Sequence, residues 1–413
     1  MSYKRGIIVL ISIFFICSVY QYSVASSEAK GTPNMKRSMM MASMAGLSQA
    51  ALVEYGRNHS EIRMNQIQVV GTHNSYHREI NITTERAAFE EFHDNEKNLY
   101  YSHADLDLQL DQQSVRSLEL DLHSDVNGGL YADPLLWRMA NLTNVTIPFH
   151  DPNMTKPGLK VFHVTDGDPH SVCHTFLECL WQLKGWSDNH PNHLPILIDL
   201  ELKMEAPACG KGGVCAEEAL NWTLPRILNV DSEIRSVLPP SQLIVPDDVR
   251  QGNLTLEESV LQHGWPTLAS SRGKFMFFFD NEPDSGPPGL YSGEGHESLQ
   301  NRTVFTNGVE GQPDAAFIKK NDPTDTAELQ RLVRKGYIIR TRADVPLDTV
   351  LSRDTSMRDL AFESAAQIVS TDYPAYGMSS RWDWDYAVQL PGRAVARCNP
   401  VSAPEWCEDS ALE

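Results

Sequence analysis

The chain is short of positive charge. Lysine and arginine total 35 against 54 aspartates and glutamates, a formal net charge of -19 over 413 residues. A phosphate backbone would be repelled by such a surface, which excludes nucleic acid as a partner. Docking on anionic lipid through a polybasic patch is excluded on the same ground. No tight CxxC pair occurs, which argues against a cysteine-bound metal. Neither common type of glycine-rich phosphate loop is present, and there is no internal repeat or low-complexity stretch. Beyond the first residues no run is apolar enough to cross a bilayer, and Ser410-Ala411-Leu412-Glu413 offers no hydrophobic tail for a lipid anchor.

What is present at the start reads as a targeting signal. Lys4 and Arg5 precede an apolar run from Ile7 to about Val19, and the small residues Val24-Ala25-Ser26 suit cleavage. Residues 1–26 are therefore expected to be a cleaved signal peptide and the protein to be secreted. A retained signal anchor is the alternative, but the run is short for a span of about 20 residues. Cysteine usage agrees with export. Cys17 lies in the signal, and the other six fall as close pairs: Cys173 with Cys179, Cys209 with Cys215, Cys398 with Cys407. Each pair brackets a short loop, so local disulfides are expected. Asn-x-Ser/Thr triplets stand at Asn58, Asn81, Asn141, Asn144, Asn153, Asn221, Asn253 and Asn301; they matter only if the host glycosylates. Residues 27–60 read as a flexible arm, with Lys36 and Arg37 beside Met39, Met40 and Met41 and a short helix over Ala42–Tyr55.

Residues 61–413 read as a single α/β domain. Strand-like runs recur at Ile67–Val70, Ser117–Asp121, Leu159–Val164, Ile196–Glu201, Lys274–Phe279, Arg302–Thr306, Tyr337–Thr341 and Gln367–Thr371. A weaker run at Leu243–Val245 suits an edge strand. Helical patterns such as His174–Trp186 and Thr326–Lys335 lie between them. Eight strands alternating with helices predict an irregular TIM-type (β/α)8 barrel; an open doubly wound sheet is the alternative. Asn281–Gly295, rich in proline and glycine, reads as a long exposed loop.

Chemistry gathers where the runs end. The first closes at Gly71 and hands over to His73, Asn74, Ser75 and His77. Side chains two apart on a strand share a face, so Glu119 pairs with Asp121 and Asp199 with Glu201. Burying several carboxylates is costly unless a cation compensates. The bland reading is a salt-bridged rim. Two such pairs plus Asn74 point instead to a cation site. Asn74, Glu119, Asp121 and Glu201 offer only oxygens, which suits a hard ion, Ca²⁺ or, second, Mg²⁺. His73 and His163 then suit general acid–base work near neutral pH. Lys274 and Arg342 can each hold a phosphate oxygen or remain solvated cations. Asp372 and Tyr373 follow the last strand as weaker site candidates. Trp382, Trp384 and Tyr386 can insert at an interface, although core or rim packing is expected.

Read together, GTHNSYH, SLELDLH, VFHVTDGD, the GWSDNHPNHLPILIDLELK block, GWPTL with RGK, IIRTRAD, AQIVSTDYP and RCNP resemble the secreted Ca²⁺-dependent phosphoinositide-specific phospholipase C family. The resemblance runs from about Asn65 to Cys407. It implies a barrel of the phospholipase C-like phosphodiesterase superfamily and a calcium-dependent phosphodiesterase acting on phosphatidylinositol-type lipids. It implies His73 and His163 as the catalytic pair, and Asn74, Glu119, Asp121 and Glu201 as calcium ligands. It matches Lys274 to a lysine that contacts inositol phosphates, and leaves the role of Asp199 in doubt. The mechanism expected at such a site has calcium lowering the pKa of the inositol 2-hydroxyl, with Glu119 as candidate base. His73 stabilises charge on the phosphate and His163 protonates the diacylglycerol leaving group. The partner is a phosphoinositide at a membrane surface, met transiently. No protein partner is evident, no pleckstrin-homology, EF-hand or C2-like segment is visible, and a monomer is expected. The alternatives are a glycerophosphodiester phosphodiesterase or sphingomyelinase-like enzyme, which needs no inositol 2-hydroxyl, and a non-catalytic binding barrel.

Overall fold

The computed structural model describes residues 61–412 except 82, 84, 87–89, 91–95, 140–150, 169, 211 and 212. The signal region, the arm and Cys17 lie outside the described residues. Strands are β1 Ile67–Thr72, β2 Ser117–His123, β3 Lys160–Val161, β4 Ile196–Leu202, β5 Leu243–Ile244, β6 Phe275–Phe279, β7 Phe317–Lys319, β8 Ile338–Arg342, β9 Ile368–Thr371 and β10 Arg397–Cys398. The order β6-β4-β2-β1-β9-β8-β7 is parallel throughout. Its two ends meet through residues 305–307. Phe305 pairs in parallel with Phe278, and Asn307 with Phe317. The Phe305 amide donates to Phe277 O at 2.8 Å, and the Gly308 amide to Phe317 O at 2.9 Å. A ring of eight parallel positions therefore closes, with β5 and β10 as short outer additions.

The apolar residues that build the ring explain the helices around it. The helix Phe176–Asn189 turns Phe176, Cys179, Leu180 and Leu183 inward and is capped by Thr175 with Glu178. The helix Thr326–Lys335 starts at the Asp325 cap and stops at Gly336, whose φ of 113° is open to glycine. Gly71 has a different reason to be glycine. A Cβ there would come within 2.7 Å of Ser117 Cβ, so β1 and β2 could not approach. The strand does not end at Gly71 but runs on through Thr72.

One of the eight expected staves is wrong. Leu159–Val164 contributes only β3, which runs antiparallel to β2 and stands outside the ring. The chain rises along β2, loops over, and descends beside it, with Leu122 opposite Val161 and His123 opposite Lys160. The next residue, Phe162, stacks its ring on that of His123, and His163 follows it. The missing stave is β7, a three-residue strand too short to show a period. All three disulfides form within the expected pairs: Cys173–Cys179, Cys209–Cys215 and Cys398–Cys407. Among the described residues no helix is long and apolar enough to cross a membrane.

Candidate active site

The register of β2 and β4 sets Glu119 opposite Asp199 and Asp121 opposite Glu201. Four carboxylates thus enter from one face of two neighbouring strands. One oxygen from each of Glu119, Asp121 and Glu201 lies within 4.8 Å of the others. The Tyr76 hydroxyl sits beside Asp121 and 3.4 Å from Asn74 Oδ1, which places Asn74 at the same pocket. Ser75 ties the end of β1 to β2: its amide donates to Glu119 O at 2.9 Å, and its hydroxyl accepts the Glu119 amide at 2.7 Å.

Three side-chain cations answer these acids. Arg340, from β8, binds Glu119 Oε2 through Nη2 and reaches Asp199 at 3.3 Å and Asp280 at 3.4 Å. Lys319, from β7, meets Asp280 at 3.0 Å. Lys203 Nζ lies 3.0 Å from Asp121 Oδ2 and 3.1 Å from Glu201 Oε1. Compensation is incomplete. Burial pushes the Glu119 carboxyl up to about 8 despite Arg340, and Asp121 up to about 7 despite Lys203. Burial and Asp280 raise Asp199 well above the carboxylate range. With only these cations, part of the cluster keeps its protons at neutral pH.

His73 stands at the edge of the same cluster. Its Nδ1 is 2.8 Å from Asp372 Oδ1 and its Nε2 is 3.9 Å from Glu119 Oε1. Asp372 is held in turn by Arg342 Nη2 at 2.9 Å. Burial first, and Arg342 second, lower the imidazole to about 4, overruling the pull of Asp372. Burial alone would raise Asp372, but His73 and Arg342 hold it well below its ordinary value. His73 is therefore neutral near pH 7, with Nδ1–H donated to Asp372 and Nε2 left as an acceptor facing the carboxylates. His163 lies half-buried beyond β3, its ring 6.2 Å from that of His77. His77 itself is fully buried between Asp168 and the Tyr101 carbonyl, a structural role.

The family model for Ca²⁺-dependent phosphoinositide phospholipase C matches residues 62–400. The chain belongs to this family. It is thus a calcium-dependent phosphodiesterase of the phosphoinositide phospholipase C type. Solved structures with a similar course include a calcium-dependent phosphoinositol-specific phospholipase C from Pseudomonas sp. It is 18% identical with a TM-score of 0.46, over 76% of this chain and 91% of that one. The phosphatidylinositol-specific phospholipase C of Streptomyces antibioticus is 19% identical with a TM-score of 0.45, over 78% and 98%. That of Listeria monocytogenes is 11% identical with a TM-score of 0.40, over 76% and 91%. Among curated proteins the comparison returned no match.

The cluster of this phospholipase C fits the ion its family requires. Its donors are all oxygen, with no nitrogen or sulfur. Two oxygens on one calcium at 2.3–2.6 Å can stand at most about 5 Å apart, and the trio stays inside that limit. A pH signature follows. A carboxyl with a raised pKa in the fold stabilises it below the unfolded pKa, and that stability is lost as pH climbs through the folded value. For Asp121 and Glu119 the window ends at about 7 and about 8. The calcium-free enzyme should weaken across it, while calcium replaces the protons. The rise in Tm on adding calcium should be larger near pH 8 than near pH 6, and calorimetry should find protons released. An equal rise at both pH values would contradict this.

The structure corrects one expected site residue. Lys274 precedes β6 at its N-terminal end, four residues before Phe278, which pairs with Asp199. That is about 13 Å from the level of the carboxylates, at the wrong end of the barrel. The C-terminal end of that strand carries Asp280, Asn281 and Glu282 instead. Arg342 is at the cluster, bonded to Asp372. Asp372, a weaker candidate from sequence, is in direct contact with His73. Arg340, Lys203, Lys319 and Asp280 were missed. The two-residue alternation that flagged Glu201 also reaches Lys203, and Arg340 lies two residues before Arg342 on the same strand. Tyr386 is buried and Trp382 and Trp384 pack against the core, as expected.

Proposed function

We propose that this phospholipase C cleaves phosphatidylinositol by attack of the inositol 2-hydroxyl on phosphorus, giving diacylglycerol and a cyclic inositol phosphate that water can open later. The observation that carries the reading is the oxygen cluster of Glu119, Asp121 and Glu201 beside a neutral His73 anchored by Asp372. Asn74, Glu119, Asp121 and Glu201 would hold the calcium. Bound there, the ion supplies positive charge that acidifies the 2-hydroxyl and polarises the phosphate. His73 takes the 2-hydroxyl proton at Nε2. This reassigns the base from Glu119, whose Oε2 is occupied by Arg340. Asp372 keeps the imidazole in the right tautomer and balances the imidazolium that forms. His163 gives a proton to the leaving diacylglycerol oxygen. Arg342 Nε has no hydrogen-bond partner among the described residues, which leaves a donor for a phosphate oxygen.

The same charges bear on the headgroup. Lys203, Lys319, Arg340 and Arg342 are each already engaged by carboxylates. Asp280 and Glu282, which follow β6, both pair with Lys319 and add negative charge beside the cluster. The reading is therefore an inositol ring without further phosphates. At saturating calcium, phosphatidylinositol in mixed micelles should turn over at least about tenfold faster than its 4,5-bisphosphate, and a 2-O-methyl analogue should stall. Equal turnover of the bisphosphate would refute the headgroup reading. Hydrolysis of the methylated substrate would favour a glycerophosphodiesterase-like attack by water. In the cell, residues 1–26 serve as a cleaved signal, residues 27–60 as an arm and the remainder as the catalytic domain. Its three disulfides support an extracellular setting. It meets its lipid at a membrane surface as a monomer.

A further inference from the structure

We infer that Lys203 is a built-in rival of the calcium ion, weakening its binding while cancelling the negative charge that would otherwise keep an anionic diester out of the loaded site. Lys203 follows Glu201 by two residues and shares its face of the chain. Its backbone is fixed on both sides: the amide donates to Leu122 O at 3.0 Å, and the carbonyl accepts Trp222 Nε1 at 2.8 Å. The ammonium then reaches one oxygen of Asp121 and one of Glu201. Among the described residues it is the one cation that pairs with either carboxylate. A lysine ammonium is charged at neutral pH, and two carboxylates flank this one. Arg340 does the same for Glu119, holding Oε2. Each of the three carboxylates thus has one oxygen held by a protein cation.

Two consequences follow. A carboxylate with one oxygen occupied binds an ion through a single oxygen, so coordination positions stay open for substrate. Charge is also counted differently. Three carboxylates against calcium alone leave the site one charge negative and repel a phosphodiester. Lys203 cancels that charge, while Arg340 is shared among Glu119, Asp199 and Asp280. Lys203 lowers the affinity for calcium and raises that for the substrate's phosphate.

This rests on the calcium-site reading above, and the test separates the two. Calcium binding would be measured by calorimetry on the full folded chain without substrate, and KM on a soluble inositol phosphodiester at saturating calcium. In Lys203→Met calcium should bind about tenfold tighter or more, while KM rises by a similar factor. Lys203→Arg should restore both toward wild type. Lys203 is partly exposed and its methylene stem is kept in methionine, so the variant should fold; circular dichroism checks this. A purely structural lysine would weaken both parameters, and a lysine that only touches phosphate would raise KM and leave calcium affinity alone. Either result overturns the inference. In a parallel Glu201→Gln variant, unchanged calcium affinity would instead sink the calcium-site reading itself.

Discussion

Replacing His73 with alanine should lower kcat on phosphatidylinositol by about 10²–10⁴-fold, with calcium affinity nearly unchanged. The imidazole is neutral, half-buried and aimed. Its Nδ1 is committed to Asp372, so only Nε2 can accept a proton, and Nε2 faces the carboxylates. Alanine removes that acceptor and leaves the oxygen donors in place. Asp372→Asn should act through the same ring. An amide donating to Nδ1 forces the hydrogen onto Nε2, which turns the base into a donor, so kcat falls and its acid limb shifts. The check is steady-state kinetics over pH with calorimetric calcium titration of each variant. Near-wild-type kcat in a folded His73→Ala protein would remove the residue from the reaction. His163→Ala should cost a comparable factor on substrates with a poor leaving group and much less on an activated aryl diester, because an activated leaving group needs no proton.

The second large effect belongs to Asp121. Asp121→Asn keeps the shape of the side chain and removes one charge from the ligand set. Calcium affinity follows that charge count, so the dissociation constant should rise by about 100-fold or more, and activity at ordinary calcium should fall with it. The fold should not suffer. Burial already pushes the Asp121 carboxyl up to about 7, so near neutrality the calcium-free enzyme tolerates an uncharged group there. Tm in chelator should be equal to or above wild type, and calcium should no longer raise it. A Tm that falls in chelator while calcium still raises it would mean that Asp121 is structural and the ion sits elsewhere.

The barrel was legible where strands are long and their period is clean. The runs at β2, β4, β6, β8 and β9 fall within a residue or two of the observed elements, because four to seven consecutive apolar or alternating positions leave little choice. The ring's weakest stretch was not. Phe317–Lys319 is three residues long and carries no pattern, whereas the run expected at Arg302–Thr306 overlaps the bridging residues 305–307. Leu159–Val164 looked like a stave because its composition is that of one; only pairing direction separates it from the ring. The carboxylates were found through alternation on two strands. Their partners escaped because an ion pair between β2 and β8, more than two hundred residues apart, leaves no local mark. Lys274 failed for a related reason. A cation next to an apolar run does not say which end of the strand it occupies in space, and this one sits at the start.

Turnover of phosphatidylinositol against free calcium, with the products resolved as cyclic or linear inositol phosphate, tests the central claim most directly. The account predicts no turnover in chelator, saturable recovery on adding calcium, and a cyclic product that appears first. Full turnover in chelator, or a linear product from the first turnover onward, would contradict it.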